Sequence, residues 1–285
     1  MESATRSSGK KDRLTDLADR LNEKAERCYP ASVSRRLGQH FLRPASVERL
    51  LRAIAPAKDD VFLEIGPGRG ALTLPLAAAC ARVVAVELDT ALARRLRERA
   101  PGNLEIVEGD ALTVDLASRV PEGSRLVGNL PYYVSSPLLR RFLEMRGHVR
   151  DLHVMLQEEV ARRVAAAPGS REYGILSVFY ALWAEVDVPL RFPPGAFEPP
   201  PKVGSALLRA RFLREPRADV GDPAAFERLV YQAFARRRRT LENNLQDSYA
   251  NLKDHLKLLN LAGTRRAETL SVGEFARLSR ALSLE

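Results

Sequence analysis

From Val61 onward, short apolar runs alternate with stretches of helical periodicity, and no other feature of the chain limits its fold as tightly. Val61–Ile65, Arg82–Leu88, Leu104–Val107 and Arg125–Gly128 read as strands, each separated from the next by residues that suit a helix. Parallel strands need long crossovers, which helices supply, so this order implies an α/β, Rossmann-like fold around a doubly wound, mostly parallel sheet. Runs at Leu152–Leu156, Glu185–Leu190 and Ser205–Phe212 complete the sheet, and the alternation in the last of these suits an antiparallel edge hairpin.

Pro216, Gly221 and Pro223 fall among charges after this region and mark a boundary. Beyond them Phe226, Leu229, Val230, Ala233, Leu241 and Leu245 share one helical stripe, and Val272–Leu282 suits a last helix. The expected organisation is an N-terminal extension over residues 1–36, an α/β domain over 37–215 and a small all-helical domain over 222–285. Residues 1–11 carry too little apolar surface to fold. Leu14, Leu17, Leu21 and Cys28 follow at helical spacing.

The formal net charge of +9 favours a polyanionic partner, because each Lys or Arg that meets a phosphate releases a counterion. Cys28 and Cys80 are too few and too far apart for a disulfide framework or zinc site, and the four histidines are scattered, so no metal is expected and a reducing cytoplasm fits. The N-terminal stretch has no apolar signal core, and its acids argue against a mitochondrial presequence. No apolar run approaches the ~18 residues of a membrane span.

Glu64-Ile65-Gly66-Pro67-Gly68-Arg69-Gly70 ends the first strand and opens a helix. Glycines there let the backbone approach a ligand. Glu87, closing the next strand, is placed to accept both hydroxyls of a ribose, and Asp110, closing the third, to accept the amine of an adenine. Strand ends in an open parallel sheet converge on one cleft. Gly66, Gly68 and Ala71 equally satisfy the dinucleotide fingerprint, so these residues alone leave a methyltransferase and an NAD-dependent oxidoreductase both open.

Gly128-Asn129-Leu130-Pro131-Tyr132 ends the fourth strand and separates the two. The Asn129 amide oxygen and the Leu130 carbonyl can each accept one N–H of an exocyclic amine, which draws the nitrogen lone pair out of the ring and aims it at a methyl donor. Tyr132 offers a stacking face, and Pro131 fixes the turn without an N–H to compete. Hydride transfer has no use for such a tetrapeptide.

With this motif in place the chain resembles the ribosomal RNA adenine N6-dimethyltransferases of the bacterial KsgA type. The resemblance runs from about Leu37 to the C-terminus. Besides the motifs above it covers Leu37-Gly38-Gln39-His40-Phe41-Leu42, Gln157–Arg163, Phe197–Ser205, Arg238–Leu245 and Arg266–Ser271. It implies a class I methyltransferase fold and S-adenosylmethionine as cofactor, contacted by His40, Leu42, Gly66, Glu87, Asp110 and Asn129. Asn129 and Leu130 would hold the target amine, with Tyr132 on one face of a flipped base and Phe197 on the other. The implied reaction is dimethylation of two adjacent adenosines near the 3′ end of 16S rRNA, with a role in small-subunit assembly, by a cytoplasmic monomer that needs no membrane. The alternative is a 23S rRNA adenine methyltransferase of the macrolide-resistance type, which shares the catalytic core. His40 and Tyr133 stand where the family usually or often has Asn.

Arg236-Arg237-Arg238-Arg239 is expected inside a tail helix, where successive residues turn by ~100° and cannot share a face. Arg236, Arg238 and Arg239 are then the phosphate candidates, with Lys202 in the loop after Phe197, while Arg237 lays its stem on the core edge.

Overall fold

The computed structural model describes residues 40–283, so the expectations for residues 1–36 lie outside the described residues. The chain enters through a two-residue strand β1 (Phe41–Leu42) and helix α1 (Pro44–Ile54), which Pro44 opens at its first turn. The alternation then follows as expected: β2 (Val61–Ile65), α2 (Thr73–Ala79), β3 (Arg82–Glu87), α3 (Thr90–Arg97), β4 (Leu104–Glu108), β5 (Ser124–Asn129), α4 (Ser135–Glu144), β6 (Val149–Gln157), α5 (Glu158–Val164) and α6 (Ile175–Trp183). Strands β7 (Ala184–Phe192), β8 (Phe197–Glu198) and β9 (Ser205–Phe212) close the α/β part.

Seven strands form one sheet in the order β4-β3-β2-β5-β6-β9-β7. The first five run parallel, and β9 pairs antiparallel with both β6 and β7. Strands β2, β3 and β6 are almost wholly buried, as expected of strands covered on both faces. Ser205–Phe212 is antiparallel, but it is not at the edge. It inserts between β6 and β7, with five of its eight residues buried, and β7 takes the edge. The reason is in β7 itself. Pro189 lacks an N–H for a second ladder, and the pairing register shifts between Asp187 and Leu190, which an edge strand tolerates and a central one does not.

The last helices are α7 (Pro223–Ala233), α8 (Leu241–Leu245), α9 (Leu252–Leu258) and α10 (Val272–Leu282). Asp222 caps α7 by accepting from the Ala224 and Ala225 amides, and Ser271 and Glu274 form a reciprocal capping box on α10. Of these, α7 and α10 pack on α6 and the residue Tyr173 just before it through Phe179, Phe226, Tyr231, Phe234 and Phe275. No described helix is long and apolar enough to cross a membrane.

At the amino ends of the strands, Arg125 is buried with its guanidinium almost fully engaged. It donates to Asp60 at 2.8 Å, to Asp151 at 3.0 Å, and to the carbonyls of Ile54 at 2.8 Å and Ala55 at 3.2 Å. One side chain thus ties the end of α1 to β5 and β6. Burial alone would raise the Asp60 carboxyl, yet the Ala57 amide, Arg125 and Arg150 together hold it below the usual carboxylate range. Arg125→Met would take its charge partner from buried Asp151, leave Asp60 to Arg150 and the Ala57 amide, and free two helix-end carbonyls, so a stability loss of ~3–5 kcal/mol is expected in urea unfolding. Arg52→Met, which breaks only an exposed pair with Glu48, serves as the control and should change stability by less than ~1 kcal/mol.

Candidate active site

The sheet reverses its winding between β2 and β5, and the carboxyl ends of β2, β3, β4 and β5 lie side by side there. Ile65 is level with Val86 and Gly128, and Glu87 with Glu108. In open α/β sheets this crevice is where ligands bind. Gly66, Gly68 and Gly70 all have positive φ, so the chain can turn sharply from β2 into α2 without a side chain intruding. A Cβ at Gly128 would lie 2.7 Å from the Ile65 carbonyl, so only glycine lets β5 come this close to β2 just before Asn129.

Glu87 is 5% exposed, and its two carboxylate oxygens accept from the Gly68 and Asp89 amides at 2.9 Å each. It thereby fixes the glycine turn, and each oxygen keeps a further lone pair. Burial pushes its carboxyl upward, and the two amides pull against that. Asp110 follows β4 directly. One of its oxygens accepts from the Leu112 amide at 2.9 Å, which leaves the other open. Asp110 therefore caps its own turn and can also accept from a ligand.

Asn129 closes β5. Its amide nitrogen donates to the His40 main-chain carbonyl at 2.8 Å, which turns the amide oxygen the other way as an acceptor. The Leu130 side chain is buried, so only its main chain can serve a ligand. Tyr132 is half-buried, and its hydroxyl bonds Ser205 at 2.7 Å. The His40 ring lies 5.7 Å from the Tyr132 ring and bonds the Pro199 carbonyl at 2.7 Å. His40 thus joins three chain segments at the site through its carbonyl and its ring. Leu42 is buried in β1, which pairs with β8.

The acceptors suit a nucleoside: two carboxylates for a diol and an amine, and an amide oxygen beside the glycine turn. A further buried group fits the same picture. Glu64, in the last turn of β2, is 2% exposed, and one of its oxygens has no hydrogen-bond partner.

Residues 31–283 match the family described as ribosomal RNA adenine dimethylase. The chain belongs to that family. It is 48% identical to Ribosomal RNA small subunit methyltransferase A of Bordetella petrii, over 87% of this chain and 94% of that protein. It is 46% identical to the protein of the same name from Geobacter metallireducens, over 86% and 94%. Among solved structures, a dimethyladenosine transferase from Plasmodium falciparum shares the fold with a TM-score of 0.73 at 23% identity, over 86% of this chain and 98% of that one. The 23S rRNA methyltransferase ErmE gives 0.65 at 28% identity, over 85% and 99%.

Two expectations for this rRNA adenine dimethylase need correction. Phe197 does not offer a free stacking face. It is 1% exposed, pairs with Leu42 in the β1–β8 ribbon and packs in a core cluster with Val47, Leu50 and Leu207. A phenylalanine in an exposed-looking loop sequence was drawn inward because that short ribbon places its ring over the core. The arginine run is also not helical. α7 stops at Ala233, and Arg236–Arg239 form a turn before Thr240 caps α8. The Asn244 side chain takes the Ala233 and Arg236 carbonyls at 2.8 and 3.2 Å, which ends the helix where periodicity alone would continue it. All four arginines are exposed. Arg237 pairs with Glu268 at 3.4 Å and also bonds the Arg171 carbonyl, whereas Arg236, Arg238 and Arg239 have no ion pair among the described residues. Lys202 is exposed beside Val203.

Sequence reasoning missed Glu64 as a buried acid. Its position inside an otherwise apolar β2 was the available signal. Burial, with Glu87 close by, pushes its carboxyl from 4.5 up to about 8. The folded chain then holds a proton that the unfolded chain gives up above pH 4.5, so stability falls as pH rises from there toward 8. Glu64→Gln removes this dependence. In urea unfolding, its stability relative to the parent should rise steadily between pH 5 and pH 7.5, and a constant difference across that range would contradict the burial argument.

Proposed function

We propose that this enzyme dimethylates N6 of two adjacent adenosines near the 3′ end of small-subunit ribosomal RNA, acting as a cytoplasmic monomer on the small subunit during its assembly. S-adenosylmethionine is the methyl donor and supplies a methyl group already activated on a sulfonium. The observation that carries the reading is the Asn129 amide, whose nitrogen is held by the His40 carbonyl so that its oxygen is left to accept from an amine.

The protein's work is then positioning, the source of much of the rate when no bond to the protein must form. Glu87 accepts the hydroxyls of the cofactor ribose, and Asp110 the amine of its adenine. Gly66 lets the cofactor lie against the backbone, with His40 and Leu42 along the same edge. Asn129 and the Leu130 carbonyl take the two N–H groups of the target amine, which leaves its lone pair to attack. Tyr132, anchored by Ser205, stacks on the flipped base, a contact worth ~1–3 kcal/mol. The amine proton passes to solvent. After one transfer, a single N–H remains, and either acceptor can hold it for the second.

The curated relatives at 42–48% identity are named for the small subunit, which favours that substrate over the large-subunit alternative suggested by the likeness to ErmE. The two are separated by incubating the protein with labelled S-adenosylmethionine and unmethylated small or large subunits, then reading nucleosides by mass spectrometry. N6,N6-dimethyladenosine is expected from the small subunit alone. Asn129→Ala should cut turnover at saturating cofactor by at least about a hundredfold, as for loss of an interaction made at the reacting centre. Near-full activity of that variant would remove Asn129 from the mechanism.

Arg236, Arg238 and Arg239, free of acidic partners, together with Lys202, meet the RNA backbone. Reversing Arg238 and Arg239 to Glu should weaken RNA binding and flatten its dependence on salt, since each lost phosphate contact removes about one unit of slope, while cofactor affinity stays at the parent value. Equal RNA affinity across salt concentrations would place the RNA elsewhere.

A further inference from the structure

Helix α4 begins a few residues after the Asn129–Tyr132 turn and runs back alongside the loop that follows β4. One side chain joins the two. Arg141, on α4, donates to the Leu112 carbonyl at 2.5 Å and also to the Val114 carbonyl. Both carbonyls belong to the turn that Asp110 opens. Within that turn Asp110 accepts from the Leu112 amide, and the Val114 and Thr113 amides donate back to the Asp110 carbonyl at 2.8 and 2.9 Å. The turn is tight: a Cβ at Gly109 would lie 2.5 Å from the Val114 side chain. The guanidinium is half-buried, and its Nε is fully buried without a partner. Two carbonyls bonded to a charged fork hold more firmly than two solvated ones, because the fork is planar and pre-organised.

We infer that Arg141 is a positioning residue for the adenine end of the cofactor, holding the Asp110 turn at a fixed distance from the helix that carries the target-amine turn. The inference rests on the reading of Asp110 as the acceptor for the cofactor's adenine amine. Arg141 touches neither cofactor nor RNA, and acts only through the Leu112 and Val114 carbonyls. Its neighbour Arg140 faces the other way, toward Glu227 and Tyr231 of α7, so the two arginines have separate duties. Without Arg141 the Asp110 turn keeps its internal hydrogen bonds but loses its tie to α4. The Asp110 carboxylate then samples positions in which it no longer meets the adenine amine, and the affinity for adenine over a base lacking that amine falls.

The test uses S-adenosylhomocysteine and its inosine analogue, which carries a carbonyl oxygen in place of the amine, bound by calorimetry to the full-length parent, Arg141→Ala and Arg141→Lys. The parent should prefer the adenine form. In Arg141→Ala the dissociation constant for S-adenosylhomocysteine should rise about fivefold or more, in line with the loss of charge-assisted hydrogen bonds, while the constant for the inosine analogue moves much less. Arg141→Lys keeps the charge and one bond and should fall between. Steady-state rates should show a raised KM for S-adenosylmethionine with kcat at saturation within about twofold of the parent. If Arg141→Ala does not fold, the lysine variant alone must show the same shift in preference. An unchanged preference in a folded variant, or a fall in kcat at unchanged cofactor affinity, overturns the proposal. A parent that shows no preference for the adenine form fails the Asp110 reading instead, which keeps the two failures apart.

Discussion

Strands β2 and β5 lie next to each other and run parallel, although two helices and two strands separate them in the chain. Their register, Ile65 beside Gly128, is possible only because residue 128 has no side chain. Everything at the crevice follows from that approach. It sets the glycine turn after β2 against the Asn129 turn after β5, and it leaves β3 and β4 to present Glu87 and Asp110 on the same side. A larger residue at 128 would push β5 away from β2 and move the glycine turn and the Asn129 turn apart.

The crevice is polar, and each polar group is held by a second interaction that leaves it a lone pair or an oxygen to spare. Glu87 accepts two amides, Asp110 accepts one, and the Asn129 amide gives its N–H to His40. Fixed in this way, acceptors need not reorganise when a ligand arrives, which is where preorganised sites gain over water. The opposite end of the sheet is built on another rule. There Arg125 ties Asp60, Asp151 and two helix-end carbonyls together, so that end contributes rigidity. The helices and strands between the two ends carry the apolar core.

The sheet was legible because strands covered on both faces leave uninterrupted apolar runs, and all of the expected runs became strands. The glycine turn, Glu87, Asp110 and Asn129 were legible as strand ends for a related reason: each breaks or follows an apolar run with a residue unlike those before it. Phe197 and the arginine run misled because their fates depend on partners far away in sequence. Phe197 is buried by pairing with Leu42, some hundred and fifty residues earlier, and the helix carrying the arginines is ended by Asn244, which reaches back from the following helix. No local pattern encodes either contact. Ser205–Phe212 was displaced from the edge by Pro189 in its neighbour, a signal present in the sequence but legible only once the pairing of the two strands was known.

Arg141 belongs with the features that no local pattern encodes, and it shows why a helix beside an active site carries more than its apolar stripe. On α4, Leu138, Leu139, Phe142 and Leu143 turn inward, and an arginine among them would ordinarily be read as a solvated edge. Two carbonyls of the turn after β4 lie within its reach, so burying its stem brings its head to a place where charge-assisted hydrogen bonds offset the cost of desolvation. The next residue back, Arg140, does the same toward the C-terminal helices through Glu227 and Tyr231. Two adjacent residues of α4 therefore connect the turn after β4 with the C-terminal helices.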